Sequence, residues 1–181
     1  IAAAALQEHV VTPSTTFVST GGITIGDWFF PDWKAGGHGA TDIRKAIAES
    51  VNTFFYLIGG GDEQRAGLGV DRIVRYAKAF GFSAPLQIDL PQEGEGFLPS
   101  KRWKEETKGE RWYIGDTYHL SIGQGDILVT PLQIAAMTMI IANEGTLFRP
   151  HLVHQTISVK GDDVQTIEPM VIRSSIVPIS A

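Results

Sequence analysis

The sequence predicts a fold that mixes helices with short strands, with the helices dominant. Three observations carry that expectation. Apolar residues recur at i, i+3 and i+4 in separate windows: Ile43, Ala46 and Ile47, then Phe54, Leu57 and Ile58, then Ile73, Val74, Ala77 and Phe80. Other windows alternate at period two or sit between turn residues, as strands do. Hydrophobic content of 43% and charged content of 19% over 181 residues suit a chain that buries one domain's core.

Taken in order, Ile1 to Glu8 reads as a helix. Thr12 to Ile25, rich in Thr, Ser, Val and Gly, reads as a loop with short extended pieces. Asp27 to Trp33 reads as an aromatic loop, either a lip over a substrate or a loop pinned down by its own rings. Thr41 is the expected N-cap of the helices that run to Ile58, since a hydroxyl can accept an orphan N–H of the first turn. Gly59-Gly60-Gly61 resembles a flexible linker. Gly69 to Phe80 forms an amphipathic helix with Arg72, Arg75 and Lys78 on a solvated face, and Gly81 stops it in the left-handed conformation.

Ser83 to Trp112 is irregular, with the mixed charge of a wet surface. Tyr118, Leu120 and Ile122 at period two predict a strand over Thr117–Ile122. Thr130 caps a helix over Pro131–Asn143, with Pro131 at the first position, where its missing N–H costs nothing. That helix is apolar nearly all round, which predicts full burial, and Gly145 ends it. Thr146–Phe148 and His151–Val159 read as strands, and Gly161-Asp162-Asp163 turns into Val164–Ile167 as a hairpin. His151 and His154 then point to opposite faces, which argues against a shared metal.

Composition excludes some functions. A net charge of −5 argues against nucleic acid, whose binding needs a basic patch. No apolar run reaches the roughly 18 residues of a membrane helix. Cys is absent, so disulfides and thiolate metal sites are excluded.

The stretch with the clearest chemistry is Ser50-Val51-Asn52, a polar triplet between two apolar helical segments. It resembles the S-x-N motif of penicillin-recognising transpeptidases. Gly94-Glu95-Gly96-Phe97-Leu98-Pro99-Ser100 with Trp103-Lys104 resembles their G-x-L-P-S loop. Gly115-Asp116 with Ser121-Ile122-Gly123-Gln124-Gly125 resembles their G-D…S-I-G-Q-G segment, and Thr130-Pro131-Leu132-Gln133 the T-P-L-Q helix start. Trp33-Lys34 leading into Gly37-His38-Gly39 is similar to the elongation-type, class B branch, penicillin-binding protein 2. The resemblance runs from about Ile1 to about Val153.

The resemblance implies an α/β (α+β) fold of the penicillin-binding transpeptidase and serine β-lactamase type, present in part and dominated by its helical portion. It implies a peptidoglycan D,D-transpeptidase that crosslinks stem peptides through a serine acyl-enzyme and is acylated by β-lactams. In that scheme Ser50 relays protons and hydrogen-bonds a base lysine, and Asn52 binds the substrate amide. Implied partners are peptidoglycan stem peptides, a membrane-anchored glycosyltransferase and other elongation-complex proteins. The implied place is the inner membrane, with the catalytic domain on the periplasmic side.

Two family motifs are missing. No serine has a lysine three residues later, and no lysine opens K-T-G or K-S-G. The chain also opens inside an apolar helix at Ile1-Ala2-Ala3-Ala4-Ala5-Leu6. The expectation is therefore a partial transpeptidase domain over 1–181, with S-x-x-K just upstream and K-T-G beyond Met170–Ala181. As it stands, the chain is expected to be inactive. The alternative is a penicillin-recognising sensor or a cell-wall interaction module without chemistry.

His38 lies between glycines near Asp27 and Asp32. A histidine with carboxylates can hold zinc, which usually takes four ligands. The spacing here is irregular, so the reading is no cofactor, with His38, Asp32 and Asp27 as metal candidates and a tight turn bonding the imidazole to backbone as the alternative.

Overall fold

The computed structural model describes residues 1–161 and 163–176. Along the chain these form α1 (Ala2–Gln7), β1 (Phe17–Ser19), β2 (Gly22–Ile25), β3 (Trp28–Pro31), β4 (Gly39–Thr41), α2 (Ile43–Ala48), α3 (Asn52–Gly60), α4 (Gly69–Ala79), α5 (Lys101–Lys108), α6 (Ile114–Ser121), α7 (Pro131–Ala142), β5 (Leu147–Phe148), β6 (Gln155–Ile157), β7 (Val164–Thr166) and β8 (Val171–Arg173). Helices dominate, and the described strands pair antiparallel in twos: β1 with β4, β2 with β3, β5 with β8 and β6 with β7. The chain divides into two compact units. One joins Ile1–Tyr76 to Leu98–Ile127; the other joins Ala77–Phe97 to the chain from Leu128 on.

The first unit is built round α3. Its core gathers Ala4, Ala5, Phe17, Ile43, Ala46, Val51, Phe54, Ile58, Ile73 and Leu120. Burying a side chain such as Phe54 stabilises by roughly 1.5–3 kcal/mol. The helices expected over Ile1–Glu8, Thr41–Ile58 and Gly69–Phe80 are present. Two details differ. Asp42, in extended conformation, caps α2 by accepting the Lys45 N–H at 2.8 Å. Thr41 is instead drawn into β4 opposite Phe17, and its hydroxyl donates to the Gly39 carbonyl. Ile47 stays 60% exposed, so the buried stripe of α2 is Ile43 and Ala46.

Gly59 and Gly60 are no linker. They form the last turn of α3, where α6 comes so close that a Cβ on Gly59 would lie 1.7 Å from Ser121 Oγ. A Cβ on Gly60 would lie 2.3 Å from the Tyr118 ring. This packing also explains why Thr117–Ile122 is helical rather than extended. Thr117, Tyr118, Leu120 and Ser121 are all buried, the one-sided stripe of a helix, and Asp116 accepts the Tyr113 N–H to start α6. Tyr118 and Leu120 of the period-two run belong to that stripe, and Ile122 is the residue that ends the helix. The Asp27–Trp33 stretch is mostly strand: β3 pairs with β2 in register Gly22–Pro31 to Ile25–Trp28. Phe30 packs edge-on against Tyr118 at 4.9 Å, which pins the hairpin down.

In the second unit α7 begins as expected. Thr130 Oγ1 accepts the Gln133 N–H at 3.1 Å, Gln133 Oε1 accepts the Thr130 N–H at 3.0 Å, and Pro131 takes the first position. The helix buries one stripe only, Gln133, Ala136 and Ile140, while Ile134 and Ile141 are 42% and 52% exposed. The expected all-round burial does not hold within the described residues. Gly81 and Gly145 have positive φ at the ends of α4 and α7, as their positions required. The hairpin of β6 and β7 forms; Asp162 of its turn lies outside the described residues, as do Val177–Ala181. Of His151–Val159 only Gln155–Ile157 is strand, because the Asp89 carboxylate takes the N–H groups of Leu152 and Val153 that a ladder would use.

Candidate active site

Ser50-Val51-Asn52 lies where α2 hands over to α3. Val51 points inward and is fully buried; Ser50 is exposed and Asn52 partly so. Ser50 sits at φ +53°, in the left-handed region that a serine enters only at a cost. Both polar side chains line an open groove together with Trp33, His38, Glu49 and Gln124. The S-x-N triplet thus shares one surface with Trp33 and His38 of the Trp33…Gly39 stretch and with Gln124 of Ser121–Gly125.

The junction is held from both flanks by the segment Asp32–His38. Before Ser50, the Trp33 indole N–H donates to the Glu49 carbonyl at 3.0 Å, and His38 Nδ1 lies 2.7 Å from the Glu49 carboxylate. After Ser50, the fully buried carboxylate of Asp32 accepts the N–H groups of Asn52 and Thr53, each at 3.1 Å, and the Thr53 hydroxyl at 2.7 Å. It also accepts the Ser19 hydroxyl at 3.1 Å and the Trp33 N–H at 3.0 Å. Val51 provides no side-chain cap for α3, so Asp32 does that work from β3's end. Burial alone would raise the Asp32 carboxyl, but the Thr53 hydrogen bonds, then those from Asn52 and Ser19, outweigh it and hold it below the ordinary carboxylate range.

The three metal candidates are not brought together. Asp32 and His38 adjoin at 3.7 Å, but Asp32 is occupied as a helix anchor and His38 Nδ1 faces Glu49. No group of three or more His, Asp or Glu among the described residues is arranged to hold a metal ion. The tight-turn alternative also misses: the imidazole nitrogen meets a carboxylate, not backbone.

Side chains of the other motifs also bind one another. Lys104, buried, donates to Asp116 at 2.6 Å, joining Trp103-Lys104 to Gly115-Asp116. Burial works against that ammonium, but the hydrogen bond and charge of Asp116, then those of Glu110, keep it above the ordinary lysine range. Ser100 caps α5 by accepting the Trp103 N–H. Gly96, at φ +69°, leaves no room for a side chain: a Cβ would meet the Leu128 carbonyl at 2.6 Å and Gln133 Oε1 at 2.8 Å. Gln133 Nε2 in turn donates to the carbonyls of Ala84 and Glu95. G-x-L-P-S and T-P-L-Q are thus partners in one clamp. Reading the residues alone passed over Ser19, Glu49, Thr53 and Gln124; only Gln124 carried a signal, as part of a motif.

Residues 1–178 match the model of the penicillin binding protein transpeptidase domain. The chain belongs to that family. It is 39% identical over 160 residues to the peptidoglycan D,D-transpeptidase MrdA of Haemophilus influenzae, covering 84% of this chain and 23% of that protein. Against MrdA of Escherichia coli K12 identity is 33% over 176 residues, 93% of this chain and 26% of that one. It therefore spans about a quarter of these curated relatives. Among solved structures, PBP2 of Pseudomonas aeruginosa in complex with WCK 5153 superposes with a TM-score of 0.80 at 31% identity, covering 97% of this chain and 38% of the other. PBP2 of Helicobacter pylori in complex with MreC gives 0.71 at 31% identity, over 90% of this chain and 30% of that one. The relatives thus bear out the class B, penicillin-binding protein 2 branch and the transpeptidase fold.

Proposed function

We propose that the chain forms the S-x-N wall of a peptidoglycan D,D-transpeptidase of the elongation type. The observation that carries this is the groove where Ser50 and Asn52 stand beside Trp33, His38 and Gln124, each from a stretch that matched the family in order. A serine attacks the penultimate carbonyl of a D-Ala-D-Ala stem peptide, D-Ala leaves, and the amine of a second stem peptide takes the acyl group and frees the serine. Asn52 holds the substrate amide, and Ser50 hydrogen-bonds the base lysine that activates the nucleophile. Neither that serine nor that lysine is among these 181 residues as an S-x-x-K motif, so the 1–181 segment acts as part of a transpeptidase domain. β-Lactams acylate the same serine. No step in this reading uses a metal.

The complexes with MreC and of a peptidoglycan synthase among the structural neighbours support elongation-complex proteins and a glycosyltransferase as partners, on the periplasmic side of the inner membrane. Among the described residues no helix is long and apolar enough to cross a membrane.

The test is second-order acylation of the full-length enzyme by a fluorescent penicillin. Asn52→Ala should slow it about two- to a hundred-fold or slightly more, because one substrate hydrogen bond is worth roughly 0.5–3 kcal/mol depending on how dry the site is. Ser50→Ala should slow it further. Wild-type rates in both variants at unchanged melting temperature would leave Ser50-Val51-Asn52 a mere helix junction. The isolated chain should give no penicillin adduct by intact-mass spectrometry.

A further inference from the structure

The S-x-N triplet does not hold its own shape. Ser50 adopts positive φ without being glycine, and α3 begins at Asn52 with no cap from Val51. The Ser50 turn is closed locally, the Val51 N–H donating to the Ala46 carbonyl at 3.0 Å, but the start of α3 is restrained by a segment on another element. Asp32, with its side chain fully buried, takes the first two N–H groups of α3 and the Thr53 hydroxyl. Trp33 and His38 hold Glu49 on the other side of Ser50. A carboxylate accepting from the first turn of a helix also meets the positive end of its dipole. Ser19 completes the arrangement: its hydroxyl donates to Asp32 and accepts the His38 N–H at 3.3 Å, so both flanks share one buried node. Such support matters because a group misplaced by a fraction of an ångström loses its contact with the reacting atoms.

We propose that Asp32, with Thr53 and Ser19, is the positioning device of the S-x-N motif, fixing where Asn52 faces the groove. It touches no substrate and acts through Asn52. This rests on the transpeptidase reading for its catalytic consequence, though not for its structural content.

The cleanest probe is Thr53→Val in the full-length enzyme, which deletes one donor to Asp32 and keeps the side chain's volume. Acylation by a fluorescent penicillin is measured well below each variant's melting temperature, at several concentrations, so that binding and acyl transfer separate. Thr53→Val should slow acyl transfer about tenfold, the effect of losing one charge-assisted hydrogen bond that aligns the site. Thr53→Ser, which restores the hydroxyl, should stay within about twofold of wild type by the same arithmetic. In an Asn52→Ala background the Thr53→Val effect should vanish, because both act through one side chain. A folded Thr53→Val enzyme at the wild-type rate, or an effect that adds fully to Asn52→Ala, overturns the proposal. Should the wild-type enzyme not be acylated at all, the transpeptidase reading fails alone. Hydrogen exchange then decides the device: faster exchange of the Asn52 and Thr53 amides in Thr53→Val supports it, and wild-type protection overturns it.

Discussion

Two helices of this chain start just after a family motif residue, and they are started in opposite ways. α7 is capped from within four consecutive residues, Thr130 and Gln133 exchanging hydrogen bonds across its first turn. α3 is capped by Asp32, twenty residues earlier in the chain and on another element. The first arrangement uses neutral groups and closes on itself. The second uses an ionised, buried carboxylate, leaving Ser50 and Asn52 free of capping duty and turned to the groove. A helix that must present polar side chains to a ligand gains from having its cap brought in from elsewhere, but it then depends on a distant segment.

The comparison breaks most readily at Asp32. Asp32→Ala strands donors from Asn52, Thr53, Trp33 and Ser19, and removing one partner of a buried charged network costs on the order of 3–5 kcal/mol. Chemical denaturation measures this; a loss under about 1 kcal/mol, the size of one ordinary hydrogen bond, would mean that Asp32 is not the anchor. Gln133→Ala should cost roughly 2–3 kcal/mol, since it removes a cap and leaves the Ala84 and Glu95 carbonyls without their buried donor. A loss as large as that of Asp32→Ala would erase the distinction between local and remote caps. Thr130→Ala should cost about 1 kcal/mol, with Thr130→Ser retaining most of the stability, as for an ordinary N-cap; thermal melts suffice.

The gentlest probe is acid. The Asp32 carboxyl lies below its unfolded value, so its stabilisation is fully present above that value, ordinarily near 3.8, and is lost as pH falls through the lower folded value. The Thr130–Gln133 cap has nothing to titrate. Amide exchange, corrected for its intrinsic pH dependence, should speed up at Asn52 and Thr53 in acid while Gln133 is unchanged. Equal behaviour at both helix starts would show that the charge on Asp32 is not what holds α3.

Much of the site was legible before any coordinates. The helix over Pro131–Asn143 announced itself through Thr130 and Pro131, and Ser50-Val51-Asn52 stood out as a polar triplet between two apolar helical segments. Motif order alone pointed to the family. Misreadings fell where a distant partner overrode a local pattern: Gly59 and Gly60 looked loose until α6 lay against them, Thr41 was taken by Phe17 across β4, and Asp89 claimed the N–H groups expected in a ladder. His38 and Asp32 were read by residue type alone; their hydrogen bonds to Glu49, Asn52 and Thr53 appear only in the fold.

What the sequence by itself determined were features encoded within a turn or two of helix: the helices over Ile1–Glu8, Thr41–Ile58, Gly69–Phe80 and Pro131–Asn143, the Thr130 cap and the identity of the S-x-N triplet. Periodicity and capping act over a few residues, so they can be read from a few residues. Only the tertiary structure decided that Asp32 caps α3, that Ser19 and Thr53 share its carboxylate, and that Trp33, His38 and Gln124 meet Ser50 and Asn52 on one groove. Those contacts join residues far apart in the chain, and the geometry that makes them is set by the packing of whole elements, which no local pattern records.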